Sequence, residues 1–170
     1  QVFHVFAYLK HHEQSTMVFD DTEPNFDSSQ FKEWDWTEFY LEAKEAIPTD
    51  APEPRGKSVV TSCFVNADHT GCCVTQGSHT GIILYVNRAP ILWYSKQQNT
   101  VESSTFGLEF VAMKMAIKMI ERLRYKLRMM GVTIEGATNV FCDNDLVIKN
   151  TANPKSTLKK RHNVITYHRI

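Results

Sequence analysis

No apolar run in this chain of 170 residues approaches the length that crosses a bilayer, and no basic-then-apolar leader is visible. The sequence is read as carrying neither a membrane span nor a secretory signal. Cysteine is sparse, at Cys63, Cys72, Cys73 and Cys142. Adjacent Cys72 and Cys73 do not suit a zinc site, and no Cys/His pair has zinc-ligand spacing, which leaves reduced thiols of a cytosolic or nuclear protein. His4, His11 and His12 cluster without a carboxylate to complete a metal set, so they read as exposed histidines. Net charge is absent as well, with 19 Lys/Arg against 19 Asp/Glu. That zero joins two unlike halves. Residues 1–57 hold 5 bases against 12 acids, and residues 58–170 hold 14 against 7, so the second half is the candidate binder of a polyanion. The chain opens on Gln1 and closes on Ile170 inside a helical pattern, which reads as a piece of a longer polypeptide.

Acids are scarce in one further place, the longest helical signal, Ser103 to Met130. Ser103, Ser104 or Thr105 can cap its start and Gly131 can close its end. Ala112, Ala116, Met119, Leu123, Leu127 and Met130 recur at helical spacing and mark a core-facing stripe. The other face carries Lys114, Lys118, Arg122 and Lys126 four apart, with Arg124 and Arg128 alongside and only Glu121 to offset them. Such a face is either merely solvated or a contact for phosphates. Glu109 stands at the entrance to the apolar stripe. A carboxylate there is either a first-turn acid favoured by the helix dipole or a group that needs a donor, a base or a metal.

Taken in order, residues 2–12 predict a short amphipathic helix, Met17 to Phe19 a short strand, and the acidic stretch from Asp20 to Ser29 a loop. Phe31 to Ala46 gathers Trp34, Trp36, Phe39 and Tyr40, which reads as a satellite core holding an appendage to the main domain rather than as an aromatic box for a ligand. Pro48, Pro52 and Pro54 make residues 47–57 a stiff tether and set the domain boundary at 57/58. Beyond it the pattern predicts strands at Ser58–Asn66, His79–Asn87 and Ala89–Ser95, with a reversal at Arg88-Ala89-Pro90. The long helix follows, then a strand at Thr138–Cys142 parallel to the first, a short helix at Asp145–Asn150, and a last basic helix capped by Ser156. The fold class is therefore α/β, a mixed sheet flanked by helices with a small N-terminal helical and loop appendage. Asp68, Glu109 and Asp143 then fall where the ends of neighbouring strands open a crevice. Converging carboxylates need a cation, and with no paired Cys or His they favour hard Mg2+ or Mn2+.

The ordered strings FVNADHTG, SHTGIIL, APILWYSKQQNTVESST, EFVAMKMA, NVFCDND, the Asn153-Pro154 pair, KKRH and YH resemble the ribonuclease H domain of copia-type LTR retrotransposon polyproteins, over about residues 63–168. The resemblance implies a ribonuclease H-like sheet domain at 58–170, and a reverse transcriptase remnant with its tether at 1–57. It also implies two-metal hydrolysis of the RNA strand of RNA–DNA hybrids. Glu109 and Asp143 match metal-holding acids of the family, Asp68 matches the second aspartate of its Asp-Ala-Asp, and His162 or His168 would lie near the phosphate. Two places depart from the pattern: Asn66 replaces the first aspartate and Val164 replaces a later one. The implied site is Asn66, Asp68, Glu109, Asp143 and His162, weakened by Asn66. The implied phosphate contacts are Lys114, Lys118, Arg122, Lys126, Lys159, Lys160 and Arg161. The expected partners are an RNA–DNA hybrid and the upstream polymerase, in a cytoplasmic virus-like particle or the nucleus. The alternative is an inactive domain of the same fold that binds without cutting.

Overall fold

The computed structural model describes residues 7–8, 10–27, 29, 31, 37–40, 45–68, 78–99 and 104–153. The expectations for Trp34, Trp36, the side chains of Phe39 and Tyr40, Lys159, Lys160, Arg161, His162, Val164 and His168 lie outside the described residues. The elements are α1 (Thr37–Tyr40), β1 (Arg55–Val59), β2 (Thr61–Asp68), β3 (His79–Val86), β4 (Ala89–Gln97), α2 (Thr105–Met129), β5 (Val132–Ile134), β6 (Asn139–Cys142) and α3 (Asp145–Ala152).

The main sheet has the order β4-β3-β2-β6. β2, β3 and β4 form an antiparallel meander, and β6 returns through α2 to lie parallel to β2, with Cys63 opposite Val140 and Val65 opposite Cys142. The parallel pairing of the first and last predicted strands is therefore present. The chain is mixed α/β, as its pattern implies. Alternation along β2 and β3 sends Cys63, Val65, Ile82 and Leu84 to one face. There they pack with Phe110, Ala112, Met113 and Ala116 of α2 in one core. Phe64 and Ile83 point the other way and are 44% and 39% exposed.

Several boundaries differ from the sequence reading. The first strand is not continuous. Val60 turns both its backbone groups to Asn87, its N–H donating to Asn87 Oδ1 at 2.9 Å and its carbonyl accepting from Asn87 N at 2.7 Å. Strand pairing therefore breaks at Val60 into β1 and β2. The reversal falls on Asn87-Arg88 rather than Arg88-Ala89-Pro90, because Asn87 takes φ 54°, a conformation asparagine tolerates better than most residues. Ala89 and Pro90 already belong to β4. β5, only three residues, was not anticipated. It pairs parallel with β1 in a separate two-stranded sheet. Met17 to Phe19 is not a strand. All three residues are exposed, and no sheet edge pairs with them.

The long helix is capped by Ser104, whose Oγ accepts from Gly107 N at 3.2 Å. Its buried stripe is turned slightly from the expected one. Phe110, Met113 and Ile120 carry the core along with Ala112, Ala116 and Leu123, while Met119 and Leu127 are partly buried and Met130 is 75% exposed. Met130 has left the helix as its C-cap, and Gly131 follows at φ 73°. A side chain at Gly131 would also touch the tether, since its Cβ would stand 3.4 Å from the Glu53 carbonyl. Upstream segments lie on the sheet as well. Asn87 Nδ2 donates to the Asp21 carbonyl at 2.7 Å, and the rings of Phe26 and Phe31 pack on Phe141 at 5.1 and 5.7 Å.

Candidate functional site

The parallel pairing of β2 with β6 aligns two strand ends under the first turns of α2. Three things fix that helix start. Ser104 caps it, Leu108 is buried, and the carboxamide of buried Gln98 donates to the Leu108 carbonyl at 3.0 Å and to Thr80 Oγ1 at 2.9 Å. Glu109, the fifth residue of the helix, is thereby pressed onto the sheet and is 5% exposed. One carboxylate oxygen, Oε1, accepts from the Ala67 backbone N–H at 3.0 Å. The other, Oε2, meets the Cys142 thiol at 4.0 Å. Among the described residues no Lys, Arg or His ion-pairs with Glu109.

Asp143 follows the last residue of β6 and precedes Asn144, whose Oδ1 caps α3 by accepting from Leu146 N and Val147 N at 3.0 and 3.2 Å. Val147 is fully buried and pins α3 to the core, so Asp143 is held from both sides. One ligand atom each from Glu109, Cys142 and Asp143 lies within 4.8 Å of the others. Burial pushes the Glu109 carboxyl above its ordinary value. The Ala67 N–H opposes that rise and the Asp143 charge adds to it. Burial likewise raises the Cys142 thiol, opposed by the Asn144 backbone, with Glu109 and Asp143 adding to the rise.

Glu109 and Asp143, from distant parts of the sequence, are brought together. Asn66 is exposed on the β2 face opposite the core, one step beyond the Val65–Cys142 pair. It lines, with Asp143, one end of a trough of about 710 Å3 whose other walls include Phe64, Ile83, Trp93 and Phe141. Asp68 is exposed at the end of β2, opposite His79, and outside the Glu109–Cys142–Asp143 cluster. Residues two apart on a strand share a face but stand roughly 6.5–7 Å apart along it. Cys142 was not singled out from the sequence as part of any site. Its only signal there was its place beside Asp143.

The basic face of α2 divides in two. Arg124 and Arg128 are not open to a phosphate, because Glu45 at the head of the tether receives both. Arg124 Nη2 lies 2.7 Å and Arg128 Nη2 3.0 Å from Glu45 Oε2, and Arg124 Nε donates to Oε1 at 3.0 Å. These guanidiniums hold the Glu45 carboxyl at about 2. Arg124 also donates to the Gly136 carbonyl and the Thr138 hydroxyl. The expectation that this face is not laced with ion pairs is thus corrected at Arg124 and Arg128. Arg122 and Lys126 remain exposed, and Lys114 and Lys118 are half-buried.

Over 116 residues, 68% of its length, the chain is 25% identical to the "Retrovirus-related Pol polyprotein from transposon RE2" of Arabidopsis thaliana. Over a match of the same length it is 26% identical to the polyprotein of that description from transposon RE1 of the same organism. The matched segment spans 8% of each of these relatives. The likeness supports a segment of a retrotransposon polyprotein. No family model matches the chain, and no solved structure matches it. Among the described residues no helix is long and apolar enough to cross a membrane.

Proposed function

We propose that this chain is the ribonuclease H-type part of a copia-type retrotransposon polyprotein, built to hydrolyse the RNA strand of an RNA–DNA hybrid and weakened at Asn66. The observation that carries this reading is the meeting of Glu109 and Asp143 at the paired ends of β2 and β6, with Asn66 lining the same trough as Asp143. The donor set fits a divalent cation. Glu109 is a buried carboxylate without a cationic partner among the described residues, and a second carboxylate stands next to it. Glu109 and Asp143 would hold Mg2+ or Mn2+, which when bound activates water and neutralises charge at the scissile phosphate. The Ala67 N–H orients the Glu109 carboxylate toward the cluster. Asn66 offers one neutral oxygen where a bridging anion is needed between cations roughly 3.5–4 Å apart. Arg122 and Lys126, with Lys114 and Lys118, would contact phosphates of the hybrid.

The test is hybrid cleavage with Mg2+ before and after Asn66→Asp. The two side chains are nearly isosteric, so the exchange alters chiefly charge. Several kcal/mol of transition-state stabilisation are at stake at ~1.4 kcal/mol per tenfold in rate, so a gain of roughly a hundredfold or more is expected. In that background Glu109→Gln or Asp143→Asn should abolish cleavage. Robust cutting by the unaltered chain would overturn the role given to Asn66. A folded, hybrid-binding Asn66→Asp chain that does not cut would leave the second reading, a binding domain of the same architecture. That reading is favoured by the exposed aromatic trough, whose Phe64 and Phe141 rings stack at 4.7 Å.

A further inference from the structure

The acid cluster contains a thiol, and hard-metal chemistry has no use for one. Cys142 Sγ lies 4.0 Å from Glu109 Oε2, and with Asp143 the three donor atoms fall within 4.8 Å of one another. A second observation points to a ligand. Glu109 is 5% exposed, and among the described residues its Oε2 meets only that thiol and no cationic side chain, so a buried carboxyl oxygen is aimed into the cluster. In a tetrahedral zinc centre, metal–sulfur and metal–oxygen bonds of about 2.3 and 2.0 Å set sulfur and oxygen about 3.5 Å apart. The Cys142–Glu109 spacing of 4.0 Å is about 0.5 Å wider than that.

We propose that Glu109, Cys142 and Asp143 form a mixed carboxylate–thiolate site for a borderline-soft divalent cation of the zinc or cadmium kind. Three protein donors leave one position for water, the arrangement of an open rather than a sealed zinc site. On binding, the Cys142 S–H bond breaks, its electron pair goes to the cation and its proton goes to solvent. Because Glu109 and Asp143 are also the carboxylates assigned to Mg2+ above, the softer cation competes with the hard one and withdraws the site from hydrolysis. This last step rests on the proposed nuclease reading. The site itself does not.

The experiment uses the full chain carrying Cys72→Ser and Cys73→Ser, which leaves Cys142 and the fully buried Cys63 as its thiols. Cadmium ion alone is titrated under reducing conditions. The ultraviolet thiolate-to-cadmium charge-transfer band and the release of protons are followed together. The expected result is an equimolar end point, loss of the band in Cys142→Ser, and about tenfold or greater weakening in Glu109→Gln. Glu109→Gln keeps the thiol in place, so it decides the matter even where Cys142→Ser disturbs folding. No band in the parent chain, a band that survives Cys142→Ser, or an affinity indifferent to Glu109→Gln would overturn the proposal. Cleavage of hybrid by the Asn66→Asp chain is measured separately. A cadmium band without cleavage removes the nuclease reading and keeps this site, and cleavage without a band does the reverse.

Discussion

At the scale of single residues, Glu109 shows how an ill-fitting side chain can be read before a structure exists. Its place at the mouth of an apolar stripe marks it as an acid in need of a partner, and among the described residues it meets only a backbone N–H and a thiol. In the metal-free protein an ionised Glu109 therefore opposes folding. Glu109→Gln keeps an oxygen to accept from Ala67 N and removes the buried charge. Its thermal unfolding without divalent ions should occur above that of the parent by about 1 kcal/mol or more, on the order of 2–4 °C. A lower midpoint would show that the carboxylate has a compensating partner. Cys142 was not legible in the same way. A lone thiol carries no spacing, and only the parallel register of β6 against β2 brings it to the acids. The opposite case is Cys63, fully buried with its thiol pushed up to about 12, which is an inert core group.

At the scale of elements, α2 was visible from its period, its caps and its length, because local chemistry sets all three. What the sequence could not show is which acid answers its bases. Glu45 lies 79 residues upstream of Arg124, and nothing local links them. The clamp fastens the tether to the helix, and its energetics carry a definite sign. The folded Glu45 carboxyl is held at about 2, below its ordinary value of 4.5, so its stabilisation is complete above that ordinary value and is lost as pH falls through about 2. Glu45→Gln should therefore destabilise the chain at neutral pH by about 1–2 kcal/mol, since the pair is partly exposed. The gap between parent and variant should shrink as pH is lowered. Denaturant unfolding at pH 7 and pH 3 checks it, and a gap that does not change with pH would remove the charge from the explanation. The strand boundaries were less legible for a related reason. Val60 has an ordinary strand side chain, yet its backbone is taken by Asn87 across the fold.

At the scale of the whole molecule, the even balance of charge conceals an acidic first part and a basic second part, which meet where Asp20 pairs with Arg88 and Glu45 with Arg124 and Arg128. Arg124 and Arg128 are occupied by Glu45, while Arg122 and Lys126 are exposed and Lys118 is half-buried on the same helix. Changing Lys118, Arg122 and Lys126 together to Gln should weaken hybrid binding and flatten the dependence of log affinity on log salt by about three units. An unchanged slope in a binding titration across salt concentrations would mean that the face is only solvated. The topology has one more consequence. The β3–β4 hairpin closes through two residues, whereas β2 meets β6 only after 76 residues of chain, including all of α2, have been gathered between Ser62 and Asn139. Hairpins of this kind form early, and distant parallel pairings wait for the entropy of the long loop to be overcome. Glu109 and Asp143 come face to face only at that late closure. A cation lodged between them would bind after the folding barrier has been crossed, so it would lengthen the life of the folded state while leaving the rate of reaching it nearly unchanged.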